Sequence, residues 1–125
     1  MSQRLLLLDD DAAIVSVLRR YFEGKGWEVE AGFGAEEALR LVESDAIFDA
    51  IICDLHFTPA RLAEGFEIIG RARARRQASA VLLFTGAAET GVRQEALLRG
   101  ADEVVTKPAP LASLHDAALR AMKKP

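Results

Sequence analysis

The sequence predicts an α/β domain in which five parallel strands form a doubly wound sheet with helices on both faces. Three observations predict it. Strand-like and helix-like segments alternate five times along the 125 residues. Several strand-like runs are continuously apolar and too short for helices, as strands buried on both faces are. Those runs also end in residues that carry chemistry: Asp9 and Asp10 after 4–8, Asp54 after 48–53, Thr85 after 80–84 and Lys107 after 103–106. In an open parallel sheet the ligand site lies just beyond the carboxyl ends of the strands.

Arg4–Leu8 reads as a short, fully apolar first strand. Asp11 is a good N-cap for a helix that carries Ile14, Val15, Val17, Leu18, Tyr21 and Phe22 at helical spacing and stops at Gly24 and Gly26. Residues 27–31 alternate more, which places that strand nearer an edge. Ala35, Ala38, Leu39 and Val42 mark a second helix. The third strand, 48–53, has the composition of a central one, and a loop broken by Pro59 follows over 55–65. Phe66, Ile69 and Ala72 begin a third helix, and 80–84 is the fourth strand. Val92, Ala96 and Leu97 place a shorter helix over Thr90–Arg99, closed by Gly100. Glu103–Thr106 is the fifth strand, and Leu111, Leu114, Ala118, Ala121 and Met122 form a last amphipathic helix.

Alternating units of this length join parallel strands through right-handed crossovers. Five of them suit a flavodoxin-like sheet of order 2-1-3-4-5, in which strands 1 and 3 are neighbours at the switch point. Asp9, Asp10 and Asp54 then share one cleft, with Thr85 and Lys107 on the far side of Asp54. Carboxylates that close repel one another, and a divalent cation removes the penalty. Mg²⁺ takes oxygen ligands and keeps several waters, which leaves positions open for phosphoryl oxygens. A central carboxylate can act as nucleophile and form an acyl phosphate, since positioning and charge neutralisation carry phosphoryl transfer. Mg²⁺, the lysine ammonium and the threonine hydroxyl would each take one oxygen of the incoming group.

Composition sets the frame. Half the residues are hydrophobic and 28% are charged, which fits a compact soluble protein. A net charge of −3 argues against a surface that grips nucleic acid. Cys53 is the single cysteine, so no internal disulfide forms and a reducing, cytoplasmic setting fits. No apolar run approaches the roughly 18 residues of a membrane span, and 5–8 is too short for a signal-peptide core. The whole of 1–125 reads as one domain whose Lys123-Lys124-Pro125 end could lead into a linker.

Leu-Leu-Asp-Asp-Asp at 7–11, Ile-Cys-Asp at 52–54, Phe-Thr-Gly at 84–86 and Thr-Lys-Pro at 106–108, in this order over the whole chain, resemble the receiver domain of two-component response regulators. The resemblance implies that Asp54 is the phospho-acceptor and that Asp9 and Asp10 are the acidic pair holding Mg²⁺, Asp10 being the direct ligand. It implies that His56 offers its backbone carbonyl to the metal, that Thr85 is the switch hydroxyl, and that Lys107 contacts the phosphate. It also implies a cis Lys107–Pro108 bond. The implied partners are a sensor histidine kinase or histidine phosphotransfer protein and a downstream output protein or domain; homodimerisation is left open. Such a protein is not an enzyme beyond self-phosphorylation from small donors and autodephosphorylation. Two features depart from the pattern. Pro59 and Gly65 stand further from Asp54 than their family counterparts, which implies an enlarged loop. Val104 replaces an aromatic that is common three residues before the lysine.

Plainer readings stand beside these. A single aspartate at 9–11 is accounted for by helix capping, Cys53 by the core, and an imidazole ligand role for His56 sits poorly with hard oxygen donors. Arg71, Arg73, Arg75 and Arg76 spread around a helix and read as a solvated, mobile helix end. A phosphorylation-independent pseudo-receiver is the main alternative function. A haloacid-dehalogenase-type phosphatase is the weaker one, because Asp54-Leu55-His56-Phe57-Thr58 lacks the second aspartate of that family's first motif.

Overall fold

The leucines of the first strand point alternately to two cores, and that alternation sets the layers of the molecule. The computed structural model describes residues 2–54, 62–75, 79–86 and 90–123. Its elements are β1 (Arg4–Leu8), α1 (Ala12–Gly24), β2 (Glu28–Gly32), α2 (Ala35–Val42), β3 (Ala50–Cys53), α3 (Leu62–Arg75), β4 (Ala80–Thr85), α4 (Thr90–Arg99), β5 (Glu103–Thr106) and α5 (Leu111–Met122). Leu5 and Leu7 join Val15, Leu18 and Phe22 of α1 and Leu114, Ala117 and Ala118 of α5 in one core. Leu6 and Leu8 join Ala38 and Val42 of α2, Ile68 and Ile69 of α3, and Ala96 of α4 in the other. A strand turns successive side chains to opposite faces, so a wholly apolar run is what a sheet covered on both sides requires.

All the strands pair in parallel, in the order β2-β1-β3-β4-β5. The predicted fold is therefore the observed one, and β2 is an edge as its alternation implied. Register brings Leu8 opposite Cys53, Cys53 opposite Leu83 and Thr85 opposite Thr106, so the chemistry-bearing residues all emerge at the same end of the sheet. The Lys107–Pro108 peptide is cis.

Boundaries differ in ways that have causes. Trp27 lies outside β2 because its backbone N–H bonds back to Phe22 O at 3.0 Å; its ring packs edge-on against Phe22, 5.4 Å between centroids, and its indole N–H donates to His115 Nε2 at 3.1 Å. Phe48 and Asp49 precede β3, although Asp49 still bonds Arg4 and Ala80 through its backbone. α3 begins at Leu62, so residues 62–65 of the expected 55–65 loop are helical. Leucine, alanine and glutamate there are all good helix formers, and Gly65 is the one weak residue among the four. His56 and Pro59 fall in 55–61, outside the described residues, and the metal role expected of His56 falls there with them.

The solvated arginine end holds for Arg71 and Arg75, which are exposed, and is corrected at Arg73. Arg73 is four-fifths buried and donates to Gly100 O at 2.9 Å, Ser79 O at 3.0 Å and Asp102 Oδ2 at 2.5 Å. Asp102 Oδ2 in turn accepts the Val81 N–H at 2.8 Å, so one ion pair ties α3 to β4 and to the turn before β5. Arg71 pairs with Glu43 and Glu67, and Arg75 with Asp45. Arg76 lies outside the described residues.

Candidate functional site

The site begins where β1 runs out. Asp9 continues the sheet for one residue, donating its N–H to Gly32 O at 3.1 Å. Gly32 sits in a tight place: a Cβ there would press on Leu41 Cδ1 at 3.0 Å and Leu8 Cδ2 at 3.2 Å. Asp9 Oδ1 accepts the Asp11 N–H at 3.0 Å, and Asp11 Oδ1 caps α1 by accepting from Ala13 N at 3.0 Å and Ile14 N at 3.3 Å. The turn that starts α1 thereby aims the other Asp9 oxygen into the cleft. Asp54 is placed in the same way from β3, its N–H bonded to Leu8 O at 2.9 Å.

Lys107 closes the group. Its own N–H bonds to Thr85 O at 2.8 Å, which fixes the residue at the end of β5 beside β4. Its Nζ donates to Asp54 Oδ2 at 2.7 Å and reaches Asp9 Oδ2 at 3.5 Å. The ammonium also lies 5.1 Å from the centre of the Phe84 ring, a favourable cation–π placement. Thr85 is fully buried at the end of β4. Of the predicted site residues, Asp9, Asp54 and Lys107 are thus in direct contact, and Thr85 shares a backbone bond with Lys107. Asp10 differs from its neighbour: it is exposed at the rim, whereas Asp9 is 5% exposed.

Electrostatics follow from this burial. Burial pushes the Asp9 carboxyl up from 3.8 to about 6. The nearby Asp54 charge adds to the rise, and the Asp11 N–H and the Lys107 ammonium oppose it. For Lys107, burial works against the charged form, but the bond and charge of Asp54 and the charge of Asp9 outweigh it and raise its pKa. Lys107 is therefore a permanent cation between two acids. Cys53 is buried directly behind Asp54, its thiol donating to Asp54 O at 3.4 Å, and burial keeps it protonated. Sequence reading missed two contributors here: Asp11 as the residue that orients Asp9, and Phe84 as the ring beside the ammonium. The signal for Asp11 was the N-cap itself. An adjacent Phe-Thr pair gave none for the ring.

Among the described residues the charged oxygen donors at this cleft are carboxylates, which suits Mg²⁺. Among the described residues no three acidic, imidazole or thiol side chains form a metal-ligand group by themselves. A cation held there would complete its shell with backbone oxygen, water and phosphoryl oxygens, as Mg²⁺ commonly does.

Comparison with known proteins points the same way. A family model for the response regulator receiver domain matches residues 5–119. Response regulator MprA of Mycobacterium ulcerans is 34% identical over 114 residues, covering 91% of this chain and 47% of that protein. The alkaline phosphatase synthesis transcriptional regulatory protein PhoP of Bacillus subtilis is 29% identical over 108 residues, covering 86% and 43%. The chain spans about half the length of these relatives. A CheY-like receiver domain protein from Methanospirillum hungatei matches with a TM-score of 0.88 at 26% identity, over 98% of this chain and 94% of that one. A response regulator from Burkholderia pseudomallei, solved with a phosphorylated aspartic acid, a calcium ion and citrate, matches with a TM-score of 0.85 at 27% identity, over 94% and 66%.

Proposed function

Because the chain belongs to the response regulator receiver domain family, we propose that Asp54 accepts a phosphoryl group from a sensor histidine kinase or histidine phosphotransfer protein, and that this switches a protein-interaction surface read by an output domain or protein. One observation carries the reading: a buried strand-end carboxylate, Asp54, is held at 2.7 Å by an ammonium that also reaches a second buried acid. Nucleophile, phosphate-binding cation and acidic pocket share one cleft. The phosphorylated aspartic acid of the Burkholderia relative supports the same chemistry.

In the transfer, an Asp54 carboxylate oxygen forms a bond to phosphorus as the bond from phosphorus to the donor's imidazole nitrogen breaks. The electron pair of the broken bond leaves with the imidazole. Lys107 starts on Asp54 Oδ2 and shifts to a phosphoryl oxygen, so its charge is never left unpaired. The Thr85 hydroxyl is the donor for another phosphoryl oxygen, a charge-assisted bond that is short and strong. Asp9 and Asp10, with Asp54, would hold Mg²⁺, which when bound neutralises charge on the acids and the phosphoryl group. Water attack on phosphorus returns Asp54 and inorganic phosphate, so the domain is a regulator with self-phosphorylating and autodephosphorylating activity rather than an enzyme with a turnover substrate.

No helix among the described residues is long and apolar enough to cross a membrane, and the buried free thiol of Cys53 suits a reducing cytoplasm. We read 1–125 as a single receiver unit. Incubation with Mg²⁺ and acetyl phosphate tests the proposal. A receiver accumulates one acyl phosphate per chain that decays slowly; steady phosphate release without an adduct points to a phosphatase, and no reaction to a pseudo-receiver.

A further inference from the structure

Among the described residues β5 is an edge strand, paired with β4 alone. Backbone groups of a strand alternate in direction. Since the Lys107 N–H points inward to Thr85 O, the carbonyls of Val104 and Thr106 point outward, to the open edge. Arg93 of α4 meets that edge. Its guanidinium donates to Val104 O at 3.2 Å and approaches Thr106 Oγ1 at 3.5 Å. Thr106 is the rung partner of Thr85, and the next residue is Lys107. One side chain of α4 thus holds the strand end that carries part of the phospho-acceptor site.

The rest of α4 is lightly anchored. Of its described side chains only Ala96 is buried outright, while Leu97 and Leu98 are 46% and 82% exposed. A helix seated on so little apolar area depends on its polar ties, since packing of an apolar face is what stabilises most helices in proteins. Val104, 9% exposed beneath this helix, has no ring or polar atom with which to report a change at Thr85.

We propose that Arg93 is a positioning residue that holds α4 on β5 in the unphosphorylated state, and that release of its guanidinium passes the signal from the site to α4. The inference rests on the phospho-acceptor reading. When Thr85 is drawn toward a phosphoryl oxygen, the Thr85–Thr106 rung moves with it. The approach of Arg93 to Thr106 is already at the limit of a hydrogen bond, so a small shift breaks it. A tie made in only one of two states biases the equilibrium between them by its own free energy.

The test uses Mg²⁺ with beryllium fluoride, a phosphoryl mimic, on the chain as it stands. Its affinity is measured by calorimetry for wild type, Arg93→Ala and Arg93→Lys, and hydrogen exchange of the 91–99 amides is followed in the free proteins. If Arg93 restrains the unphosphorylated state, Arg93→Ala binds the mimic about three- to tenfold more tightly, because the free state has lost its bias. Its α4 amides also exchange faster before any mimic is added. Arg93→Lys, which keeps the charge and one carbonyl contact, returns toward wild type. Equal affinities for wild type and Arg93→Ala overturn the inference and leave Arg93 as a cover for an exposed strand edge. Should Arg93→Ala fail to fold, Arg93→Gln, which keeps the stem and loses the charge, serves in the same comparison. A wild-type chain that takes up no mimic defeats the acceptor reading, and this inference with it.

Discussion

Replacing Asp9 by Asn keeps the shape of the side chain and removes a charge that burial disfavours. The Asp9 carboxyl titrates near 6 rather than 3.8, so ionising it in the folded protein costs about 3 kcal/mol more than in the unfolded chain. That cost already includes the attraction of Lys107. Asparagine keeps the acceptor for the Asp11 N–H but turns an amide toward the Lys107 ammonium, which returns about 1–2 kcal/mol of the gain. Asp9→Asn is therefore expected to be more stable than wild type by about 1–2 kcal/mol in metal-free buffer at neutral pH, a rise in Tm of about 4–8 °C. The folded pKa lies above the unfolded one, so the penalty is present in full above pH about 6 and fades as pH falls toward 3.8. The gap between variant and wild type shrinks over the same window. Urea unfolding read by the single tryptophan, Trp27, with chelator at neutral pH and again near pH about 4, measures both effects. A variant less stable than wild type at neutral pH, or a gap that does not change with pH, refutes the assignment of the strain to Asp9.

Other outcomes follow from the same geometry. Gly100 has φ +119°, and a Cβ there would lie 2.6 Å from Arg73 Cγ; Gly100→Ala is expected to cost about 2–3 kcal/mol in chemical denaturation, and less in an Arg73→Ala background, where part of the clash is gone. Thr85→Ala is expected to accept a phosphoryl group while losing the change in hydrogen exchange over 90–99, whereas Val104→Ala keeps both; the reverse pattern would place the switch at Val104. His115→Phe leaves the buried Trp27 N–H without its acceptor and is expected to cost about 1–2 kcal/mol, read from urea melts.

The fold was legible because its strands are continuous apolar runs and its helices carry amphipathic spacing, both local signals. Leu5 to Leu8 alone implies cover on two faces, and that cover forces crossovers and a parallel sheet. The site was legible because strand ends in such a sheet are neighbours, so Asp9, Asp54 and Lys107 could be brought together from their positions after 4–8, 48–53 and 103–106. What was not legible depends on distant partners or on burial within a cluster. Spacing gathers three aspartates without saying that Asp9 goes inward and Asp10 stays at the rim; the Asp11 cap decides that. Arg73 reads as one more charge on a polar helix end, because its partners Gly100 and Asp102 are remote in sequence and Ser79 lies beyond the helix end. The start of α3 was placed a turn late because Gly65 reads as a loop residue until the packing around it is known. Arg93 gave no signal, since an arginine on an exposed helix is ordinary until an edge strand lies beside it.

The central claim is that Asp54 is the residue phosphorylated. The direct measurement is to treat the chain with Mg²⁺ and acetyl phosphate, trap the product with borohydride, which reduces an aspartyl phosphate to homoserine, and map the peptides by tandem mass spectrometry. The expected result is conversion at residue 54 alone, absent in Asp54→Asn. Conversion at Asp9 or Asp10, or an adduct of equal yield in Asp54→Asn, would contradict the account.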